Sequence, residues 1–218
     1  MKKYLVILSV VLSCVVLYAA AQTDNFDRTG ESPLGSPWIA PDGVADSKFN
    51  LSSNHLVGQG LSTFQLMYYN HTPNTDHYSQ ATLGGSDLTN VATYALVAVS
   101  VQSSGQSAYV YGIVAGANVY KIQKMSGGSL SALQTCTGTP TVGDVMKLSK
   151  SGTGLTGTVN GGNTCSATNG DLSGGFYGLA GYNGGGAYTL DDWSGDDVSG
   201  GGSSSPVKLC NSFGLICH

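Results

Sequence analysis

The chain has 218 residues, of which 10% are charged, and its formal net charge is −4. In typical globular proteins about a quarter of the residues are charged. Nucleic-acid binding needs clustered Lys and Arg. With Arg28 as the one arginine of the sequence, we expect no nucleic-acid partner. The 32 glycines and 12 tyrosines instead predict many short strands joined by tight turns.

Residues 1–21 have the three-part layout of a secretory signal peptide. Lys2-Lys3 precedes the apolar stretch Tyr4–Tyr18, and Ala19-Ala20-Ala21 provides small residues for cleavage. That stretch is shorter than the roughly 20 residues of a membrane-spanning helix, and the residues after Cys14 are apolar where a lipoprotein begins a polar tether. We predict cleavage after Ala21, a secreted protein in the extracellular space or at the cell surface, and no membrane span in the mature chain.

Residues 22–198 are predicted to form one all-β domain. Apolar residues recur with period two between clusters of Gly, Ser, Asn and Pro, which is the strand signature. Three glycine-containing segments, Ser126–Ser129, Ser151–Gly154 and Asn160–Asn163, are typical of hairpin loops, where Gly tolerates positive φ. Short strands linked by hairpins favour an antiparallel sandwich or barrel. The predicted strands are Thr63–Tyr69, His77–Leu83, Thr93–Val101, Ala108–Ala115, Val119–Met125, Leu130–Cys136, Asp144–Ser149, Leu155–Asn160, Thr164–Thr168, Tyr177–Tyr182 and Ala187–Trp193.

Four cysteines remain after the predicted cleavage, and an even number in an exported chain predicts two disulfides with three possible connectivities. Cys136–Cys165 with Cys210–Cys217 is the simplest. A zinc site is disfavoured because the sequence has no C-x-x-C spacing.

The end of the sequence differs in composition from the domain. Residues 199–205 form a Gly/Ser-rich flexible linker, and residues 206–218 form a short apolar tail that Cys210–Cys217 would close. Apolar residues are unusually dense in this tail for a free chain end. We predict that it contacts a partner or docks back on its own domain.

A series of short blocks gives the domain a resemblance to a known family. From Asp24 to Trp193 the blocks resemble laminin-G-like, concanavalin A-like jelly-roll domains of bacterial exported proteins. The blocks are Asp24–Arg28, Pro33–Ser36, Trp38, Tyr120–Lys124, Gly143-Asp144, Lys147-Leu148, Gly154-Leu155, Val159–Gly161, Gly175, Gly178–Ala180 and Leu190–Trp193. The resemblance implies an antiparallel β-sandwich of the concanavalin A-like jelly-roll type, a fold that hosts lectins, glycan-binding modules, glucanases and structural domains.

Glycoside hydrolysis is the sharpest enzymatic hypothesis, because glucanases share this fold. The related enzymes carry a Glu-x-Asp-x-x-Glu strand, whereas Glu31 is the one glutamate of this sequence. Glycosidases need two carboxylates about 5–10 Å apart across the bond that they break, and no strand carries such a spaced pair. We therefore expect a protein that is not an enzyme.

Tyrosines are the candidate ligand-binding residues. Tyr109 and Tyr111 are two residues apart and are predicted to share the outward face of a strand, with Tyr94 and Asn118 as further candidates. Flat rings stack on the apolar face of a sugar, while hydroxyl and amide groups bond its OH groups. The alternative is that tyrosines pack half-buried on the sheets, as their β propensity predicts.

Acidic residues at the two ends of the domain are the candidate metal ligands. If the first and last strands lie side by side, Asp24 comes close to Asp191 and Asp192, and carboxylate oxygens suit Ca²⁺. The alternative is a charged edge that discourages aggregation. His71 and His77 flank a Pro-containing polar loop whose spacing matches no metal motif.

Together these features predict a secreted, non-catalytic domain that binds a carbohydrate or a cell-surface polymer in a lectin-like or adhesive role. A structural or self-assembling extracellular domain without a glycan site is the alternative. A glycoside hydrolase is third.

Overall fold

The computed structural model describes residues 20–41, 49–58, 64–85, 93–114, 118–183 and 188–198. The predicted signal peptide up to residue 19, the linker, the tail and the predicted Cys210–Cys217 bridge lie outside the described residues. None of the described residues forms a helix long and apolar enough to span a membrane.

The described residues form fifteen strands, and each of the eleven predicted strands has a counterpart among them. The four that the sequence did not indicate are the short β1 to β4. The strands are β1 Gln22–Asp24, β2 Trp38–Ile39, β3 Phe49–Ser52, β4 His55–Gly58, β5 Gln65–Tyr69, β6 His77–Gly85, β7 Thr93–Val101, β8 Ala108–Val114, β9 Val119–Ser126, β10 Ser129–Thr135, β11 Val145–Ser151, β12 Gly154–Val159, β13 Gly162–Thr168, β14 Phe176–Asn183 and β15 Tyr188–Asp197.

All described strand pairs are antiparallel and belong to two sheets. The eight-stranded sheet has the order β13-β12-β11-β6-β15-β4-β3. The eighth strand, β1, pairs with residues 193–195 of β15, further along that strand than residues 189–190, with which β4 pairs. The seven-stranded sheet has the order β10-β9-β8-β7-β14-β5-β2. The predicted antiparallel sandwich is confirmed, including the expectation that the first and last strands lie side by side.

Tight turns fix the register of the predicted hairpins. Gly127 and Gly128 adopt φ of 57° and 76° between β9 and β10, the positive values that a two-residue hairpin turn of type I′ needs at both positions. Asn160 and Gly161 do the same between β12 and β13, at 51° and 70°.

The main core lies between the two sheets and is rich in aromatic rings. Trp193 packs against Trp38 and Tyr69 with ring centroids 4.7 and 5.0 Å away, respectively. Its indole N–H donates to the Ser79 hydroxyl at 2.9 Å, so the polar edge of the buried ring is satisfied.

The predicted outward orientation of Tyr109 and Tyr111 is wrong. Both side chains are 0% exposed and belong to the core between the sheets. Gly157 on the facing β12 makes room for one of them, since a Cβ there would lie 2.6 Å from the Tyr111 ring. The hydroxyl of Tyr109 donates to the Asn169 side chain at 2.5 Å and accepts the N–H of Leu172 at 2.9 Å.

The predicted disulfide between Cys136 and Cys165 is confirmed. Cys136 directly follows β10 at the edge of the seven-stranded sheet, and Cys165 lies in β13 at the edge of the eight-stranded sheet. The bond therefore joins the two sheets along one side of the sandwich.

Candidate functional site

The outer face of the seven-stranded sheet carries partly exposed aromatic rings at one end. Tyr94 of β7 and Tyr182 of β14 are directly paired, and Phe64 lies just before β5 beside them. The Phe64 ring centroid is 4.9 Å from that of Tyr94 and 5.1 Å from that of Tyr182. The three side chains are neither buried nor fully exposed. We call this group the aromatic platform.

Asn118 lies at the same end of the sheet as the aromatic platform. Val114 pairs with Tyr94 on one side and with Val119 on the other, and Asn118 immediately precedes Val119. Two strand spacings of about 4.8 Å place Asn118 about 10 Å from Tyr94. Its side chain is exposed, and its φ of 49° gives it the left-handed conformation that Asn tolerates. The predicted residues Tyr94 and Asn118 therefore lie at the same end of the sheet, two strands apart.

The centre of the same face is apolar and buried. Its residues come from five neighbouring strands, and none is more than 3% exposed. Every described strand belongs to one of the two sheets, and the other sheet packs on the opposite face. No described strand therefore lies over this surface, which we call the apolar trough. Its residues are Leu66, Leu96, Ala98, Val101, Ala108, Val110, Met125 and Ala180.

One polar side chain points into the trough. Gln123 of β9 pairs with Val110, whose side chain belongs to the trough. The Gln123 side chain is 7% exposed, and its Oε1 has no hydrogen-bond partner among the described residues. A buried acceptor without a donor is costly, so this atom indicates a missing donor.

The aromatic wall of the trough is formed by a stacked pair. Tyr68 and Phe176 have ring centroids 4.4 Å apart at an interplanar angle of 25°. Tyr68 belongs to the same buried cluster as the trough residues, and Phe176 packs against that cluster.

Asp24, predicted as a metal ligand, is engaged by protein donors. Its carboxylate accepts the Trp38 indole N–H at 2.7 Å, the Phe26 N–H at 2.9 Å and the Arg28 guanidinium at 2.5 Å. The hydrogen bond to Asp24 raises the pKa of Arg28. The Arg28 guanidinium therefore supplies a positive charge beside the Asp24 carboxylate.

Asp192 lines one pocket together with Asp24, whereas Asp191 has a different neighbour. Trp193 is the residue opposite Asp24, and Asp191 lies 3.6 Å from the His55 ring. Burial raises the pKa of Asp191. No group of three or more metal-ligating side chains occurs among the described residues, and calcium at these positions stays a prediction.

The two histidines of the polar loop are separated. His71 lies against Tyr177, whose hydroxyl is 2.7 Å from His71 Nδ1. His77 is buried in β6, with Nδ1 2.8 Å from the Asn74 carbonyl, and its Nε2 accepts the Ser100 N–H at 3.0 Å. These contacts define one neutral tautomer of His77, and burial lowers its pKa.

The sequence did not indicate Phe64, nor that Tyr182 pairs with Tyr94. Phe64 and Tyr182 lie 30 residues before and 88 residues after it, and strand pairing brings them together. The sequence does show that Tyr94 lies two residues from Leu96, and Tyr182 two residues from Ala180, so each tyrosine shares a strand face with an apolar residue. The order of the strands, which the sequence does not state, was needed to join them.

No protein-family model and no curated protein matches this sequence. Solved structures do match it. The carbohydrate-binding module CBM66 from Bacillus subtilis aligns with a TM-score of 0.60 at 13% identity, over 74% of this chain and 96% of that one. A prokaryotic β-1,3-1,4-glucanase (lichenase) from a mouse hindgut metagenome aligns at 0.56 and 8% identity, over 83% and 100%.

The exoplasmic/lumenal domain of VIP36, in a form bound to Ca²⁺ and Man3GlcNAc, aligns with a TM-score of 0.54 at 13% identity, over 74% of this chain and 84% of that one. Lectin-like and glucanase domains thus share the arrangement of strands described above. Their identity to this chain is low, so the likeness concerns the fold alone. The chain has the concanavalin A-like jelly-roll fold.

Proposed function

We propose that the chain is a secreted, non-catalytic domain that binds carbohydrate through the aromatic platform on the outer face of its seven-stranded sheet. The observation that carries the proposal is the grouping of Phe64, Tyr94 and Tyr182 on one partly exposed surface. Rings in this setting offer apolar faces to a pyranose, and the two phenol groups and the Asn118 amide supply polar partners for its hydroxyls.

The comparisons support this choice of ligand class. Two of the matched solved structures are described by their names or bound forms as a carbohydrate-binding module and a domain holding Man3GlcNAc. Both have the same fold as this chain. The sugar itself is left open, because the platform offers stacking surface rather than a charged anchor that would select one residue.

The absence of catalysis is proposed from Glu31. Glu31, the one glutamate of the sequence, accepts the Arg28 Nε–H at 3.0 Å and the Gly35 N–H at 3.0 Å. The hydrogen bond from Arg28 lowers the pKa of Glu31. A general acid needs a raised pKa, so this carboxyl is tuned in the opposite direction.

The experiment is a glycan array read with the wild-type chain and the double variant Tyr94→Ala/Tyr182→Ala, each with and without Ca²⁺. Removing two stacking rings is expected to weaken binding of the best-bound glycan about 5- to 150-fold, since each aromatic contact contributes about 0.5–1.5 kcal/mol. Tyr78→Ala is the matched control, because Tyr78 lies on the outer face of the eight-stranded sheet, in β6.

Wild-type binding that the double variant keeps in full would place the ligand elsewhere. No binding by the wild type to any glycan or cell-surface polymer would favour the structural alternative. Turnover of a β-glucan by the wild type would contradict the non-catalytic proposal.

A further inference from the structure

The apolar trough differs from the aromatic platform in being closed to solvent. Leu96, Ala98 and Val110 lie at the centre of the seven-stranded sheet on its outer face, and each is 0% exposed. An open sheet face built of such residues would be a large exposed apolar patch, which marks an interaction surface. We infer that the trough is the docking surface of the tail 206–218 of the same chain.

The chemistry of the tail fits the trough. Between Val207 and His218 the tail carries Leu209, Phe213, Leu215 and Ile216, and it has no acidic residue. The trough residues are all uncharged. Docking would therefore bury apolar groups on both sides without burying a carboxylate.

Gln123 supplies the polar counterpart. Its Oε1 lies on the trough side of β9 without a partner among the described residues. A docked peptide brings main-chain N–H groups to the sheet face, and one of them would satisfy this acceptor. A bare hydrophobic contact would leave the oxygen unsatisfied.

The described chain ends on the eight-stranded sheet, at the same end of the sandwich as Val101 of the trough. Val198 donates its N–H to the Asp76 carbonyl at 2.9 Å, and the preceding Asp197 pairs with His77. His77 in turn accepts the N–H of Ser100, the neighbour of Val101 in the trough. The linker therefore starts at the end of the sandwich where the trough begins.

The linker is long enough to place the tail. Residues 199–206 span up to about 26 Å when extended, which exceeds the roughly 10 Å between the two packed sheets that the linker must pass to reach the trough. A short flexible linker also holds the tail at an effective concentration in the millimolar range. A second copy of the chain in dilute solution has no such advantage, so docking in cis is favoured.

The test uses the mature chain recovered after secretion, with the photo-crosslinking residue p-benzoylphenylalanine in place of Phe213. Crosslinks are mapped by mass spectrometry in the monomer and dimer bands. The same probe in place of Ser203 is the matched control, because Ser203 lies in the linker. We expect crosslinks from position 213 to peptides of β7, β8 and β9 within the monomer, and a different pattern from position 203.

A second variant checks the chemistry. Phe213→Asp/Leu215→Asp is expected to raise the fluorescence of the dye ANS, because the trough becomes accessible, while Lys208→Asp is expected to raise it less. Crosslinks confined to the dimer band, crosslinks to the eight-stranded sheet, or no crosslink at all would each overturn the inference. Neither readout involves a glycan, so loss of the proposed carbohydrate binding leaves this result unaffected.

Discussion

The outer faces of the two sheets differ in how far their residues are exposed to solvent. In β6, β11 and β12 of the eight-stranded sheet, buried residues alternate with half-buried ones except at the ends of β6 and β11, so one face packs inward and the other is solvated. In β8 of the seven-stranded sheet all seven residues are buried. Alternation of polarity identifies the inner face of a strand only where the outer face is wet. On a strand that is buried on both faces, the alternation of polarity does not show which face lies in the core between the sheets.

Tyr109 and Tyr111 illustrate the consequence. Their strand has a tyrosine face and a small aliphatic face, and placing the polar-tipped residues outside is the natural choice. The structure instead seats both rings between the sheets, where Asn169 bonds one hydroxyl and Gly157 makes room for the other ring. The small aliphatic face, with Val110, points outward into the trough.

The largest expected effect is on the free energy of unfolding of the tyrosine variants. Replacing Tyr109 or Tyr111 by Ala is expected to cost about 3–5 kcal/mol each, since each leaves a large cavity in the core. Tyr78→Ala on the solvated face is expected to cost about 1 kcal/mol or less. Urea unfolding of the three variants measures the difference, and equal costs would erase the contrast between the sheets.

The disulfide between the sheets comes next. Replacing Cys136 and Cys165 by Ala reopens a link across a sequence separation of 29 residues, and the chain-entropy model gives a cost of about 3–4 kcal/mol. The midpoint of urea unfolding should fall accordingly. A change near zero would mean that the sheet edges hold together without the bond.

Buried hydroxyls inside the core give a smaller, paired effect. Tyr120 donates its hydroxyl hydrogen to Asp144 at 2.5 Å, whereas the hydroxyl of Tyr111 has no partner among the described residues. Burial raises the pKa of both phenols. Tyr120→Phe should cost about 1–3 kcal/mol, and Tyr111→Phe should be neutral or stabilising. Denaturant unfolding of the two variants provides the comparison, and the reverse order would contradict the hydrogen-bond assignment.

The smallest effect concerns pH. His77 of β6 bonds Ser100 of β7 across the sandwich, and burial lowers its pKa below the usual 6.5. The unfolded chain therefore takes up this proton at a higher pH than the folded protein. Stability contributed by neutral His77 is present above pH 6.5 and is lost as the pH falls below 6.5 towards the folded pKa. His77→Gln should flatten the dependence of the unfolding midpoint on pH in that range, and an unchanged slope would assign it to other groups.

The strands were predictable because most of them carry local signals. Period two and glycine turns located eleven strands, whereas the hairpin of β3 and β4 was missed. It turns on Ser53 and Asn54, with φ of 53° and 62°, so no glycine marks it. The site was less predictable because only the pairing of β7, β8 and β9 places Tyr94 and Asn118 at the same end of the sheet. The inward position of the Tyr111 ring depends on the space that Gly157 leaves in the other sheet.

The central claim is that the outer face of the seven-stranded sheet, at the end carrying Tyr94, is the carbohydrate-binding surface. The most direct measurement is a titration of the isotope-labelled chain with a bound oligosaccharide, followed by backbone and side-chain NMR shifts. Binding at the aromatic platform predicts perturbations at Tyr94, Tyr182 and Asn118, with β6, β11 and β12 unchanged. Perturbations concentrated on the outer face of the eight-stranded sheet would contradict it.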